Sequence, residues 1–211
     1  MNLFDRASPV QGFPVLDSII NQNQGLDFLK AALPILGPAQ LTPATISNWL
    51  TSLDDGERKV IYSRSVERTS HFKWFLGTNS SGLIVWLHDY KPNQVAGAAG
   101  SFAGSIHNHR YSFVSRVLSG SLSVSDFAIQ DQQGFPRLSG IRTIAAGLAY
   151  TLTADQIHRV DHTSPFTVTL VIQGPPEKPC SRVYDPATMS FEDMYDLPSL
   201  LPKLIDRLAD E

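Results

Sequence analysis

From about residue 60 to residue 172 the chain is written in short β-prone runs separated by turn residues, and this pattern restricts the fold most. The runs 60–62, 73–76, 83–90, 113–118, 122–129, 141–144, 149–152 and 166–172 are rich in β-branched and aromatic residues. Between them lie Gly77-Thr78-Asn79, the stretch 97–104, Ser119-Gly120, the stretch 130–134 and Ala146-Gly147. Many short strands at this spacing predict an all-β antiparallel sandwich or barrel.

Residues 1–60 read as a helical N-terminal extension. Leu16, Ile19, Ile20, Leu26, Leu29 and Leu33 recur at roughly helical spacing, interrupted near Gly25 and stopped by Pro34. Thr42 followed by Pro43 predicts an N-cap with proline at the first helical position. That helix runs to about Leu53 and buries Ile46, Trp49, Leu50 and Leu53, and Asp54-Asp55-Gly56 breaks it. The barrel is expected over 61–176. After Gly174-Pro175-Pro176 the chain reads as irregular, closing with a short amphipathic helix over 197–208, so 177–211 is a C-terminal extension of one compact domain.

The chain has 211 residues, a net charge of −3, and no strongly basic field to favour nucleic acid or an anionic membrane. Apolar runs are short, and Met1 to Arg6 lacks the start of a signal peptide. A single cysteine, Cys180, cannot form an internal disulfide and is expected to be a free thiol. The expectation is a soluble cytoplasmic protein.

Within the strand-rich part, Gly104-Ser105-Ile106-His107-Asn108-His109 places two histidines one residue apart. On a strand such residues share a face, so two imidazoles converge. A second segment follows about fifty residues later: Gly147, five residues, the turn Thr153-Ala154-Asp155-Gln156, then His158 opening the next strand.

These two segments resemble the two motifs of the cupin family. His107, His109 and Gly120 match the first motif, and Gly147 and His158 the second. Thr153 and Asp155 stand where proline and glycine are usual, and His162 where asparagine is usual. The resemblance covers roughly residues 70 to 175 and implies a double-stranded β-helix, or jelly roll, with N-terminal helices and a metal held by His107, His109 and His158. Within cupins the likeness is to thiol dioxygenases of the cysteine dioxygenase kind. Ser105-Ile106-His107-Asn108-His109, His158-Arg159-Val160 and the stretch 171–176 carry it. Val114 stands where that family has a crosslinked cysteine, and Thr169, Val171 and Gln173 fall near its Ser-His-Tyr set. Arg64 and Lys73 are the candidate counterparts of its substrate-binding arginine.

Phe113 and Val114 cannot serve as an acidic fourth ligand, so the expected site is three neutral imidazoles. A divalent cation there keeps its +2 charge and about three open positions. This favours an anionic chelating substrate and O₂ at Fe(II), with Zn, Ni, Cu or Mn also suited to imidazole. If alternation resumes at Val114, Arg116 faces the interior and anchors a substrate carboxylate. An internal ion pair or a snorkelling arginine is the alternative. Arg110 and Tyr111 are candidates for the pocket mouth, His162 and Tyr150 for acid–base roles. His71 and His88 have no partner at ligand spacing and read as structural or exposed. Trp74 and Trp86 read as core.

The expected function is a metal-dependent dioxygenase acting on a small carboxylate-bearing thiol or amino acid, as a monomer or homodimer. The alternatives are a non-redox three-histidine enzyme (an isomerase, a lyase or a biosynthetic catalyst) and a non-enzymatic small-molecule-binding cupin.

Overall fold

A computed structural model describes residues 28–36, 41–78, 82–91, 102, 104–130, 134–195, 200, 201, 205 and 207. Among the described residues three helices precede the sheets: α1 (Phe28–Leu36), α2 (Pro43–Ser52) and α3 (Asp55–Arg64). Thr42 caps α2, as its sequence predicts, by accepting the Thr45 N–H at 3.1 Å. Of the expected helix over 17–33, residues before 28 lie outside the described residues, and α1 runs past Pro34 to Leu36. Most of the expected closing helix over 197–208 also lies outside them; residues 200, 201, 205 and 207 are helical.

The strand expected over 60–62 is instead part of α3. Asp54 accepts the Glu57 N–H at 2.8 Å, and the Glu57 carboxylate accepts the Asp54 N–H at 3.0 Å. This capping box starts a helix where Asp54-Asp55-Gly56 reads as a break, and it overrides the β preference of Val60 and Ile61.

Twelve strands follow among the described residues: β1 (Val66–Glu67), β2 (His71–Thr78), β3 (Ile84–Tyr90), β4 (Ile106–His107), β5 (Phe113–Ser119), β6 (Ser121–Ile129), β7 (Pro136–Ala145), β8 (Ala149–Leu152), β9 (Ile157–Thr163), β10 (Val168–Gln173), β11 (Cys180–Asp185) and β12 (Ser190–Tyr195). The first sheet has the order β1-β2-β3-β10-β5-β8 and the second β12-β11-β4-β9-β6-β7. All pairings are antiparallel. The eight strands β3 to β10 divide as β3-β10-β5-β8 and β4-β9-β6-β7, the double Greek-key order of a jelly roll, with β6 and β7 the one consecutive pair within a sheet. The fold class read from the sequence, a jelly-roll barrel with N-terminal helices, is the one observed. The segment after Pro176 is not irregular, however: β11 and β12 pair and extend the second sheet through β4.

Alternation sorts each strand of the first sheet into two faces. Val85, Leu87, Val114, Leu118, Leu170 and Ile172 pack outward against Leu36, Ile46, Trp49, Leu53 and Ile61 of the helical layer. Burying each such side chain contributes about 1.5–3 kcal/mol. Phe113 and Val171, with Leu152, fill one end of the interior, and Tyr90, Val117, Leu122, Val124, Ile144 and Val160 fill the other. No helix among the described residues is long and apolar enough to cross a membrane.

Gly120 links β5 to β6 at φ 72°. A Cβ there would lie 2.3 Å from Thr167 Oγ1 and 2.8 Å from the Thr167 Cα. Positive φ and a backbone clash act together. Gly120→Ala is expected to cost about 3 kcal/mol or more, lowering Tm by about 6–12 °C for a chain of this size. Calorimetry checks this.

Candidate metal centre

β4 and β9 meet at one register pair, His107 opposite His158. Directly opposed residues share a face, so both imidazoles enter the barrel. His109 lies two residues past His107 and joins them. Its Nε2 is 3.2 Å from Nε2 of His107 and 3.4 Å from Nε2 of His158. Two nitrogens bound at about 2.1 Å to one cation, at tetrahedral or octahedral angles, stand about 3.0–3.4 Å apart. Among the described residues no cysteine or carboxylate joins the group.

All three imidazoles are neutral at pH 7. Burial pushes His107 down to about 4, a shift partly opposed by its bond to Ser105. Burial also holds His109 and His158 well below the usual range, and the neighbouring imidazoles add to this. His107 Nδ1 donates to the Ser105 carbonyl at 2.9 Å, which leaves its Nε2 lone pair facing the others. Converging lone pairs call for an electrophile between them. The residues fit a metal ion.

The loop carrying His109 is fixed by residues for which the sequence offers no motif. Asn108 is buried; its N–H donates to the Arg182 carbonyl at 3.0 Å and its Oδ1 accepts the Arg182 N–H at 2.8 Å. Ser112 Oγ accepts the Ala154 N–H at 3.0 Å, tying this loop to the turn before His158. The Ser112 N–H donates to Glu177 Oε1 at 3.1 Å. The segment after Pro176 therefore helps to place a ligand.

Phe113 stands edge-on to His109 and His158 at centroid distances of 5.1 and 6.4 Å. The inward set on β5 is thus Phe113, Ser115 and Val117, not Val114 and Arg116. Residues 110–112 are not strand, so alternation does not carry across from His109. Arg116 points into the helical layer, where its Nη1 donates to the carbonyl of Leu36 at the end of α1. The expected inward orientation of Arg116 is corrected.

His162 is exposed and faces away from the site. Val124 pairs with Val160 but Ser123 pairs with His162, so Asp161 is an inserted bulge residue that reverses the face. Asp161 is held by Ser125 and Arg159, each at 2.6 Å. Tyr150 lies opposite Ser115, with its ring 6.2 Å from that of Phe113 and 5.2 Å from the Arg142 guanidinium. Burial raises its phenol pKa. The Tyr111 ring stands 5.4 Å from that of His109, and Arg110 contributes its carbonyl to the N–H groups of Glu177 and Lys178.

Three further inward groups stand out. Lys73 and Trp86 face the interior from β2 and β3, with Lys73 Nζ 4.4 Å over the Trp86 ring. Burial, with Arg68 adding, pushes Lys73 down to about 8, and its charge is felt at His109. Trp86 Nε1 donates to Gln173 Oε1 at 3.0 Å. Arg142 of β7 pairs in bidentate fashion with Asp126 at 2.8 and 3.2 Å, and its charge is felt at His158. A separate cavity of about 500 Å³ under α2 and α3 is lined by Ile46, Leu50, Arg58, Tyr62, Leu87 and Leu118; no ligand set converges on it.

No family model matches the sequence, and no curated protein matches it. Solved structures similar to it include KdgF from a Halomonas species, 10% identical over 53% of this chain and 86% of that one (TM-score 0.38). Another is oxalate decarboxylase from Bacillus subtilis, 14% identical over 56% of this chain and 29% of that one (TM-score 0.39). A third is an RmlC-like cupin from Shewanella frigidimarina, 16% identical over 55% of this chain and 88% of that one (TM-score 0.35).

Proposed function

We propose that this protein is a metal-dependent enzyme, a non-haem Fe(II) dioxygenase acting on a small carboxylate-bearing thiol or amino acid. The observation that carries this reading is the convergence of three neutral imidazoles, with no acidic ligand among the described residues, beside the inward ammonium of Lys73. A metal held by His107, His109 and His158 would supply Lewis acidity and, as iron, electrons for O₂ chemistry. The protein's own groups do the rest. Lys73 takes the substrate carboxylate, the anchoring role expected of Arg116. Among the described residues no carboxylate competes for its ammonium. Tyr111 and Phe113 pack against His109, and Trp86 packs against the Phe113 cluster, an apolar surround that keeps water away so that oxygen chemistry meets only substrate. Arg142, fixed by Asp126, closes the His158 side.

Elemental analysis of the purified protein, combined with O₂ uptake over a panel of small thiols and amino acids, tests this. Iron near one per chain with substrate-dependent uptake supports it. Bound zinc without uptake sinks it and favours a non-redox three-histidine enzyme. Lys73→Met is expected to raise KM about 100-fold, the effect of losing one buried charge-assisted anchor. Arg116→Met, on the opposite face of the sheet, is expected to leave KM unchanged.

A further inference from the structure

Beside the three-histidine centre the interior holds two more histidines, His71 and His88, which no metal-ligand spacing marks. His88 lies opposite Lys73 on β2 and Thr169 on β10, all on the inward face. His71 lies opposite Tyr90. The His71 and His88 rings are 4.6 Å apart, and Tyr90 stands 5.1 Å from His71 and 6.4 Å from His88. Nε2 of each histidine is buried and has no hydrogen-bond partner among the described residues. A buried polar atom of this kind costs about 1–3 kcal/mol. Packing alone does not explain two of them side by side.

One end of this pair faces the barrel interior: His88 stands on the inward face beside Lys73 and Thr169, and its charge and that of Lys73 would be felt at His109. The other end reaches the barrel rim, where His71 Nδ1 and Ser70 Oγ share a 2.9 Å hydrogen bond. Arg68, Lys73 and Lys91 surround His71 with positive charge, and burial dominates in keeping both rings neutral. A neutral imidazole carries one donor and one acceptor nitrogen, so it can take a proton on one side and release one on the other.

We propose that His88 and His71 form a proton relay between the three-histidine cavity and the surface at Ser70. A reactant X–H in the cavity gives its proton to the free ring nitrogen of His88 and keeps the electron pair on X. His88 releases its other ring proton toward His71, which passes one to Ser70 and water. A bridging water or a ring reorientation spans the 4.6 Å between the rings. The inference rests on the presence of a metal-dependent centre, not on which reaction is run there.

The test is nitrogen-15 NMR of the histidine rings in the full chain loaded with zinc as a diamagnetic probe. Exchange of the His88 ring N–H with water is expected to slow at least tenfold in His71→Phe at unchanged zinc content. Ser70→Ala, a milder change at the rim, is expected to slow it in the same direction. Equal exchange in wild type and both variants overturns the relay. In the iron-loaded protein, His88→Gln is expected to lower kcat at least tenfold and alter its pH profile, with KM and metal content unchanged. An identical pH profile overturns the relay as well. Absence of O₂ uptake in the wild type removes the dioxygenase reading alone, and ring exchange still decides the relay.

Discussion

Replacing His158 with alanine is expected to give a folded protein that no longer retains metal. The site has three nitrogens at 3.2 and 3.4 Å spacing and, among the described residues, no acid to take over. Altering groups that merely support a ligand costs 10–100-fold in affinity, so losing one of three ligands costs more than about 100-fold. A metal present at 100 times its Kd stabilises the native state by about 2.7 kcal/mol, worth about 5–10 °C in Tm. Wild type should show that shift on metal addition and lose it with chelator, whereas the variant's Tm should respond to neither. His158 is buried and its Nδ1 has no hydrogen-bond partner among the described residues, so few native bonds are lost with the side chain. Full metal occupancy in the variant would sink the assignment of the third ligand.

That ligand was legible because its position follows from two local rules. His107 and His109 share a face by alternation, and the glycine turn at Gly147 (φ 87°) returns the chain so that His158 lands opposite His107. Strand alternation misleads wherever the strand is interrupted. The non-strand residues 110–112 reset the phase before Arg116, and the Asp161 bulge reset it before His162. Asp54 and Glu57 form a helix start that Val60 and Ile61 mask. Lys73 is a candidate in the sequence through resemblance alone, and the inward orientation of Lys73 and His88 is hidden for another reason. Alternation tells which residues of one strand share a face, but not that β3 will pair with β10, more than eighty residues away, and turn that face inward. Asn108 and Glu177 do their work through single hydrogen bonds to distant backbone, which leave no pattern in composition or spacing.

Five of the six histidines make the metal-free protein sensitive to acid. His71 is held near 3 and His107 near 4, and His88, His109 and His158 lie well below the ordinary value of 6.5, in each case mainly through burial. Above pH 6.5 these rings are neutral in folded and unfolded chains alike and do not affect stability. As the pH falls below 6.5 the unfolded chain binds protons that the folded chain refuses. Each histidine then removes about 1.4 kcal/mol per pH unit, and five together remove about 7. A domain with a typical stability of about 5–15 kcal/mol therefore reaches its midpoint about 0.7–2 units below 6.5, between about pH 4.4 and 5.8, at the upper edge of or above the range where its carboxylates titrate. Circular dichroism during an acid titration of the metal-free protein checks this; a fold that persists to pH 4 would mean the rings charge without unfolding. Bound metal opposes the transition. At 100 times Kd its 2.7 kcal/mol, set against a slope of about 7 per unit, lowers the midpoint by about 0.4 pH unit. His158→Ala should show no such displacement, and its slope should be smaller by one histidine's share. His71→Phe should lose the same share of slope yet keep the displacement, because its ring meets the relay and not the metal.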